Sequence, residues 1–187
     1  MSLNRPKQPE LLRARILEAA QGVLLDEGLA AVTHDRVLAR SGISKGGLQH
    51  HFRTKQLLLD ALFDQLFSGF VEQFEAALLS EPTGPARCTR AYVKASRANA
   101  LDVARTGRAT VLLALGDPAY QARWSRFLQE ACAADTLDPG TLLACRLAAD
   151  GLWYSLVFGP TPNAAEVDAA LQRILQLTHT DNGIDTP

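Results

Sequence analysis

The sequence predicts an all-α fold, in which a small basic amino-terminal unit of three helices is joined by a long helix to a larger, apolar helical bundle. Apolar residues recur at three- and four-residue steps almost throughout, strand-like alternation is nearly absent, and β-branched residues are scattered. Charge is divided unevenly as well. Residues 1–55 hold nine lysines and arginines against five acids, and the remainder holds ten against fifteen, so the overall −1 conceals +4 at one end and −5 over the rest. That layout is expected when one end alone meets a polyanion. With 187 residues, 47% hydrophobic and 21% charged, the chain has the composition of an ordered globular protein, a small domain at 1–55 and a larger one at 56–187.

The elements follow in order. From Glu10 to Glu27, Leu12, Ile16, Ala19, Ala20, Val23 and Leu24 lay one apolar stripe on a first helix, which Gly28 stops. Thr33 caps a second helix that turns Val37 and Leu38 inward and ends near Ser41-Gly42. Ser44 caps a third helix of under two turns, to about His51, for which a loop at 44–47 is the alternative. Thr54 caps a long fourth, where Leu58, Leu62, Leu66, Phe70 and Phe74 form an i,i+4 row. The chain breaks around Ser80 to Pro85, and a helix or helix pair then runs from Ala86 to Leu115 with a break near Arg105-Thr106-Gly107. Asp117-Pro118 and Asp138-Pro139 each open a helix by placing proline after an N-cap. The second of these is markedly apolar and ends at Gly159-Pro160. Asn163 with Glu166 forms a capping box for a last helix to about Thr178, and the tail from His179 frays.

Several functions are disfavoured. Cys88, Cys132 and Cys145 are too few and too far apart for a disulfide framework or zinc ribbon. No apolar run approaches the roughly 18–20 residues of a membrane span, and the amino terminus lacks the apolar segment of a secretory signal, so a cytoplasmic location is expected. Nucleophile elbow, phosphate-cradling loop and metal-ligand cluster are all missing, which predicts a protein that is not an enzyme and needs no cofactor or metal. Adjacent His50 and His51 point about 100° apart on a helix, and no carboxylate or cysteine stands at ligand spacing, so a metal site there is not expected.

Thr33 to Lys55 (THDRVLARSGISKGGLQHHFRTK) reads as a helix-turn-helix, two short helices joined by Ser41-Gly42-Ile43, with the second entering a major groove. Ser44, Lys45, Gly46, Gly47, Gln49 and His50 are small or polar, and Leu48 and Phe52 alone look like core anchors. Two glycines in so short a helix cost about 1 kcal/mol each relative to alanine. A sequence shaped by stability alone would avoid them, whereas close approach to DNA favours them.

From Ile16 to Leu62 the chain resembles the DNA-binding domain of the tetracycline-repressor (TetR) family of bacterial transcriptional regulators. The resemblance rests on the Ala-Ala of the first helix, the Gly that ends it, the Ser-Gly-Ile-Ser turn, Lys-Gly-Gly-Leu, the His-Phe pair and Thr-Lys-Gln. Two positions depart from the family pattern: Gln49 stands where tyrosine is usual, and Leu38 where alanine is usual. The resemblance implies that Thr33 holds a helix terminus against phosphate. It makes Lys45 and Gln49 base readers supported by Ser44, with Gly46 and Gly47 permitting close approach. His51 and Lys55 match backbone-contact positions, with His50 nearby, and Arg5 and Lys7 could track phosphates from an arm. Glutamine can pair bidentately with adenine, for about 1–3 kcal/mol of discrimination.

For the carboxy-terminal region the resemblance implies dimerisation and ligand sensing. Leu147, Leu152 and Leu156, with Leu171, Ile174 and Leu175 of the last helix, are the expected contacts of a two-fold four-helix interface. Phe67, Phe70, Trp124, Phe127, Trp153 and Tyr154 are expected to line an effector cavity, with Asp102 and Asp150 facing a cationic ligand. The expectation is a homodimeric repressor that a small molecule releases from a pseudo-palindromic double-stranded operator. The alternative is a helical small-molecule-binding or interaction protein without DNA binding.

Overall fold

The computed structural model describes residues 8–101, 103–159 and 163–179, and these are helical with no strand among them. The helices are α1 (Gln8–Glu27), α2 (His34–Ser41), α3 (Lys45–His51), α4 (Lys55–Ser80), α5 (Arg87–Leu101), α6 (Ala104–Gly116), α7 (Pro118–Ala131), α8 (Pro139–Phe158) and α9 (Ala164–Gln176). A 3-10 turn at Leu29–Ala31 follows α1. The capping residues are those the sequence predicts, although Asn163 accepts from Ala165 N and not from the third helical residue of a capping box. Gly28 and Gly42 end α1 and α2 at φ 86° and 67°, which glycine adopts without strain. Thr33 Oγ1 accepts from Arg36 N at 3.3 Å and Ser44 Oγ from Gly47 N at 3.1 Å. Thr54, Asp117, Asp138 and Asn163 likewise cap α4, α7, α8 and α9 through bonds of 2.8–3.1 Å. The capped start of α3 places a helix where a loop was the alternative.

The predicted break at Arg105-Thr106-Gly107 lies instead between Leu101 and Ala104, and Thr106 and Gly107 are inside α6. Gly107 has a packing reason to be glycine. A Cβ there would stand 2.6 Å from the carbonyl oxygen of Asn99 and 3.0 Å from Leu156 Cδ1.

Two compact units emerge, and neither ends at residue 55. Unit 1 comprises the chain to Ser68 together with Ala109–Gln121, and unit 2 comprises Gly69–Arg108 and the chain from Ala122 onward. Within unit 1, α1 packs on α2, the 3-10 turn and α3. Ile16, Leu17, Ala20, Leu24, Val37, Leu48, Leu58 and Leu62 are fully buried there. Phe63 stacks on Tyr120 at 4.3 Å between ring centroids. The Tyr120 hydroxyl donates to Asp60 Oδ1 at 2.7 Å and receives Gln56 Nε2 at 3.2 Å. Burial, then the hydrogen bond to the Asp60 carboxylate, pushes the Tyr120 phenol far above its ordinary value.

In unit 2, α5 lies mainly against α8, and α9 packs on both. Polar bonds hold this packing in register. Arg97 forks onto Asp168 with bonds of 2.5 and 3.0 Å, and Trp153 Nε1 donates to Ser96 Oγ at 3.2 Å. Asp135 accepts from Cys88 N at 3.0 Å, and from Thr89 N and Thr89 Oγ1 at 2.7 Å each, so the α7–α8 connection supplies acceptors for the first turn of α5. Buried Glu81 bonds Arg90 at 2.7 Å and pairs with Lys94. Burial alone would raise its pKa, but the two cations together hold it below the ordinary value.

One expectation is corrected by α8. At 20 residues it is long and apolar enough to cross a membrane, with mean hydropathy of 1.2. It also carries Arg146 and Asp150 and packs on α5 and α9, which suits a helix of a folded domain. Its buried residues are Cys145, Ala149 and Trp153, a narrow share of an apolar surface.

Candidate functional site

The outer face of α3 is built by a simple division of residues. Leu48 and Phe52 are buried at 0% and 3% exposure, anchoring one side of the helix. Lys45, Gly46, Gln49 and His50 are exposed, as is Arg53 just past the C-cap, while Gly47 and His51 are half-buried. The two glycines therefore differ. Gly46 faces open space, but a Cβ on Gly47 would meet Ile43 and the capping Ser44 hydroxyl at 3.2 Å. Gly47 is a packing glycine, and close approach from outside is available at Gly46.

The cations of unit 1 divide in the same way. Arg36 pairs with Glu27 at 3.3 Å, Arg40 with Asp26 at 2.7 Å, Arg15 donates to Ser41 O at 3.1 Å, and the Arg13 guanidinium lies 5.7 Å from the Phe52 ring centre. Lys55 Nζ donates to the carbonyls of Leu29 and Ala30 at 3.3 and 3.1 Å, which fastens the start of α4 to the 3-10 turn. An ammonium has three donors, so one remains for a phosphate. Lys45 and Arg53, by contrast, stand exposed beside Gln49 with no ion pair among the described residues. Arg53 is an exposed cation that the residue pattern of α3 does not single out, because it falls just past the extended C-cap at Phe52. Thr33 and Ser44 are exposed at helix starts, and their hydroxyls already accept capping bonds. The His50 and His51 rings meet edge to face at 5.4 Å. Arg5 and Lys7 lie outside the described residues.

In unit 2, Phe70 is the hub of an aromatic cluster, 4.7 Å from Trp124, 5.4 Å from Trp153, 5.9 Å from Tyr92 and 6.0 Å from Phe127 between ring centroids. The Tyr92 hydroxyl donates to Asp150 Oδ1 at 2.5 Å. Burial pushes the Asp150 carboxyl above its ordinary value, against the opposing pull of the Tyr92 bond and the nearby Arg146 charge. Phe67 belongs to unit 1, where it stacks on Phe63. Tyr154 does not join the cluster: it is 56% exposed and stacks on Phe158 on the outer side of α8. Asp102 lies outside the described residues. A half-open cavity of about 410 Å³ lies beside the cluster, with Tyr92, Leu128, Cys132, Leu142, Leu143 and Arg146 among its lining residues.

The predicted interface residues also part company. Leu147 is 59% exposed, Leu152, Leu156, Ile174 and Leu175 are half-buried, and Leu171 is buried within its own unit at 7%. Leu171 is thus a core residue, because it sits beside Val167 on the inward side of α9. The outward apolar stripe of α8 is Leu143, Leu147, Tyr154 and Phe158, at 44, 59, 56 and 72% exposure.

A capped helix with an exposed polar and basic face, set on a three-helix unit and followed by a helical bundle, defines a helix-turn-helix regulator. Residues 16–62 match the model of the tetR family of bacterial regulatory proteins, and residues 86–179 match that of the tetracyclin repressor-like C-terminal domain. The chain belongs to the TetR family of DNA-binding transcriptional regulators. The transcriptional regulator CymR of Pseudomonas putida is 36% identical over 66 residues, 35% of this chain and 32% of that protein. The repressor KstR2 of Mycolicibacterium smegmatis is 30% identical over 81 residues, 41% of this chain and 40% of that protein. The matched stretches thus span less than half of these curated relatives. The multidrug-binding protein EbrR in complex with malachite green superposes with a TM-score of 0.63 at 26% identity, covering 90% of this chain and 98% of that one. Its ethidium complex gives 0.56 at 27%, covering 90% and 99%. The regulator SCO7518 from Streptomyces coelicolor A3(2), 24% identical with a TM-score of 0.63 over 90% of this chain and 99% of that one, shares the fold.

Proposed function

We propose that this chain is a homodimeric repressor of the bacterial cytoplasm that reads a pseudo-palindromic operator with α3 and is released by a small molecule held in unit 2. The observation that carries the reading is the outward face of α3. There Lys45, Gln49 and Arg53 are exposed, and neither cation is ion-paired among the described residues, while the other arginines described in unit 1 have partners inside the chain. Unpaired cations around a polar reader suit a phosphate backbone and the base edges between its strands. Lys55, His50 and His51 flank this face, and Thr33 and Ser44 bring two helix starts toward the phosphates.

The uncovered stripe on α8 supports the homodimer. Four large apolar side chains on one helix face are best covered by the same face of a second copy about a two-fold axis. A pseudo-palindromic operator needs two recognition helices about 34 Å apart, one turn of B-DNA, and an effector acts by favouring a dimer with that spacing altered. The EbrR complexes with ethidium and malachite green support a role in receiving small aromatic molecules.

The test is a salt titration of binding to random and to selected palindromic duplexes. The affinity should fall steeply with salt on both and be higher on the selected duplex. A chain that binds neither duplex at low salt is the carrier module of the alternative reading.

A further inference from the structure

We propose that the cavity between α5, α7 and α8 receives an amphipathic monoanion, a carboxylate on an aromatic or aliphatic body, with Arg146 as its counter-ion. The inference rests on reading unit 2 as the effector unit and adds the charge and chemical class of what binds there. Its volume, about 410 Å³, falls within the usual range for small-molecule sites. The walls are Leu128 of α7, Leu142 and Leu143 of α8, and the ring of Tyr92. An apolar body displaces water from such walls favourably.

Arg146 is the one charged side chain on this lining. Its guanidinium makes no ion pair within the described chain, and a planar fork of donors matches a carboxylate bidentately. Two acids lie near Arg146 without forming an ion pair with it. Asp150, one turn along α8, feels the Arg146 charge, but its carboxylate is bonded by the Tyr92 hydroxyl at 2.5 Å. Asp135, on the α7–α8 connection, is occupied by three donors from the start of α5. The Cys132 thiol on the lining is pushed up to about 11, by burial first and then by Asp135, and stays neutral at physiological pH. The aromatic rings around Phe70 are packed on one another, and the charge on the lining of the open volume is that of Arg146.

The test is calorimetric titration of the full chain with 1-naphthoate and decanoate, against 1-naphthylmethylammonium and decyltrimethylammonium. The acids should bind, and the two cations should bind at least about tenfold more weakly. Arg146→Gln, at an exposed position, should weaken acid binding at least about tenfold, with partial recovery in Arg146→Lys. Leu128→Trp should fill the cavity and remove binding with the guanidinium still present. Acid binding that survives both Arg146→Gln and Leu128→Trp overturns the proposal, as does preference for the cations with dependence on Asp150. The same titrations on a complex with operator separate this inference from the effector reading. Arg146-dependent acid binding that leaves DNA bound retains the site and removes the effector role. Release of DNA by the cations but not the acids does the reverse.

Discussion

The α3 and α8 helices are each left incomplete by the chain, in opposite ways. The outer face of α3 is small, polar and cationic, with Lys45 and Arg53 making no ion pair among the described residues. That of α8 is apolar, with Leu143, Leu147, Tyr154 and Phe158 between 44 and 72% exposed. Unpaired surface cations cost little in water, whereas a contiguous apolar stripe loses the free energy of its own burial until something covers it. The first surface therefore suits a partner that comes and goes with ionic strength. The second suits a permanent one. A two-fold axis through α8 would also supply the pair of α3 helices that a palindromic site requires.

The largest effect is expected from breaking the α8 side of this comparison. Leu147→Glu places a carboxylate on the exposed stripe, and in a two-fold interface the two copies bring like charges together. Sedimentation should show a monomer, and operator affinity should fall by about 100-fold or more. Because Leu147 is 59% exposed, the protomer itself should keep its helical content. Leu152 and Leu156 are poorer probes, since both are half-buried and Leu156 packs at Gly107. A Leu147→Glu protein that sediments as a dimer would place the interface on another surface.

Dividing the α3 face gives the next effect. Gln49→Ala should relax base preference by about 1–3 kcal/mol at one position of each half-site. Arg53→Ala should instead weaken binding to all duplexes alike and lower the salt slope by about one per protomer. Selection from a random duplex pool, followed by salt titration, separates the two outcomes. Loss of base preference in the Arg53 variant would make it a reader rather than a backbone contact. Lys55→Ala is less discriminating, because it also frees the carbonyls of Leu29 and Ala30.

The contrast between these helices also explains what could be read in the sequence. Caps are local, and Thr33, Ser44, Thr54, Asp117, Asp138 and Asn163 all function where their side chains predict. The polar face of α3 was legible for the same reason, since buried Leu48 and Phe52 leave one orientation for the rest. Tertiary facts were not legible. The α8 helix is apolar all round, so its spacing does not say which leucines face inward, and Tyr154 was placed on the wrong side. Gly107 resembled a helix break because the Asn99 carbonyl that excludes a side chain there belongs to another helix. Lys55 resembled a free cation because its acceptors lie more than twenty residues away.

The smallest effect sharpens the comparison within α3 itself, where adjacent glycines have opposite reasons to be glycine. Gly46 has open space beyond its Cα, so Gly46→Ala should raise the thermal midpoint, by up to about 1 kcal/mol of helix propensity. Its methyl group would project on the side proposed to face DNA, and affinity for operator should fall while the fold gains. At Gly47 the added methyl meets Ile43 and the Ser44 cap at 3.2 Å, so part or all of the same propensity gain is cancelled. Thermal unfolding of the two variants, with operator titration beside it, should therefore show stability and binding moving in opposite directions at Gly46 only. If Gly46→Ala binds operator as well as the parent chain, the helix does not approach DNA closely there. The glycine then has no contact role, and Lys45 and Gln49 must reach the bases from a greater distance.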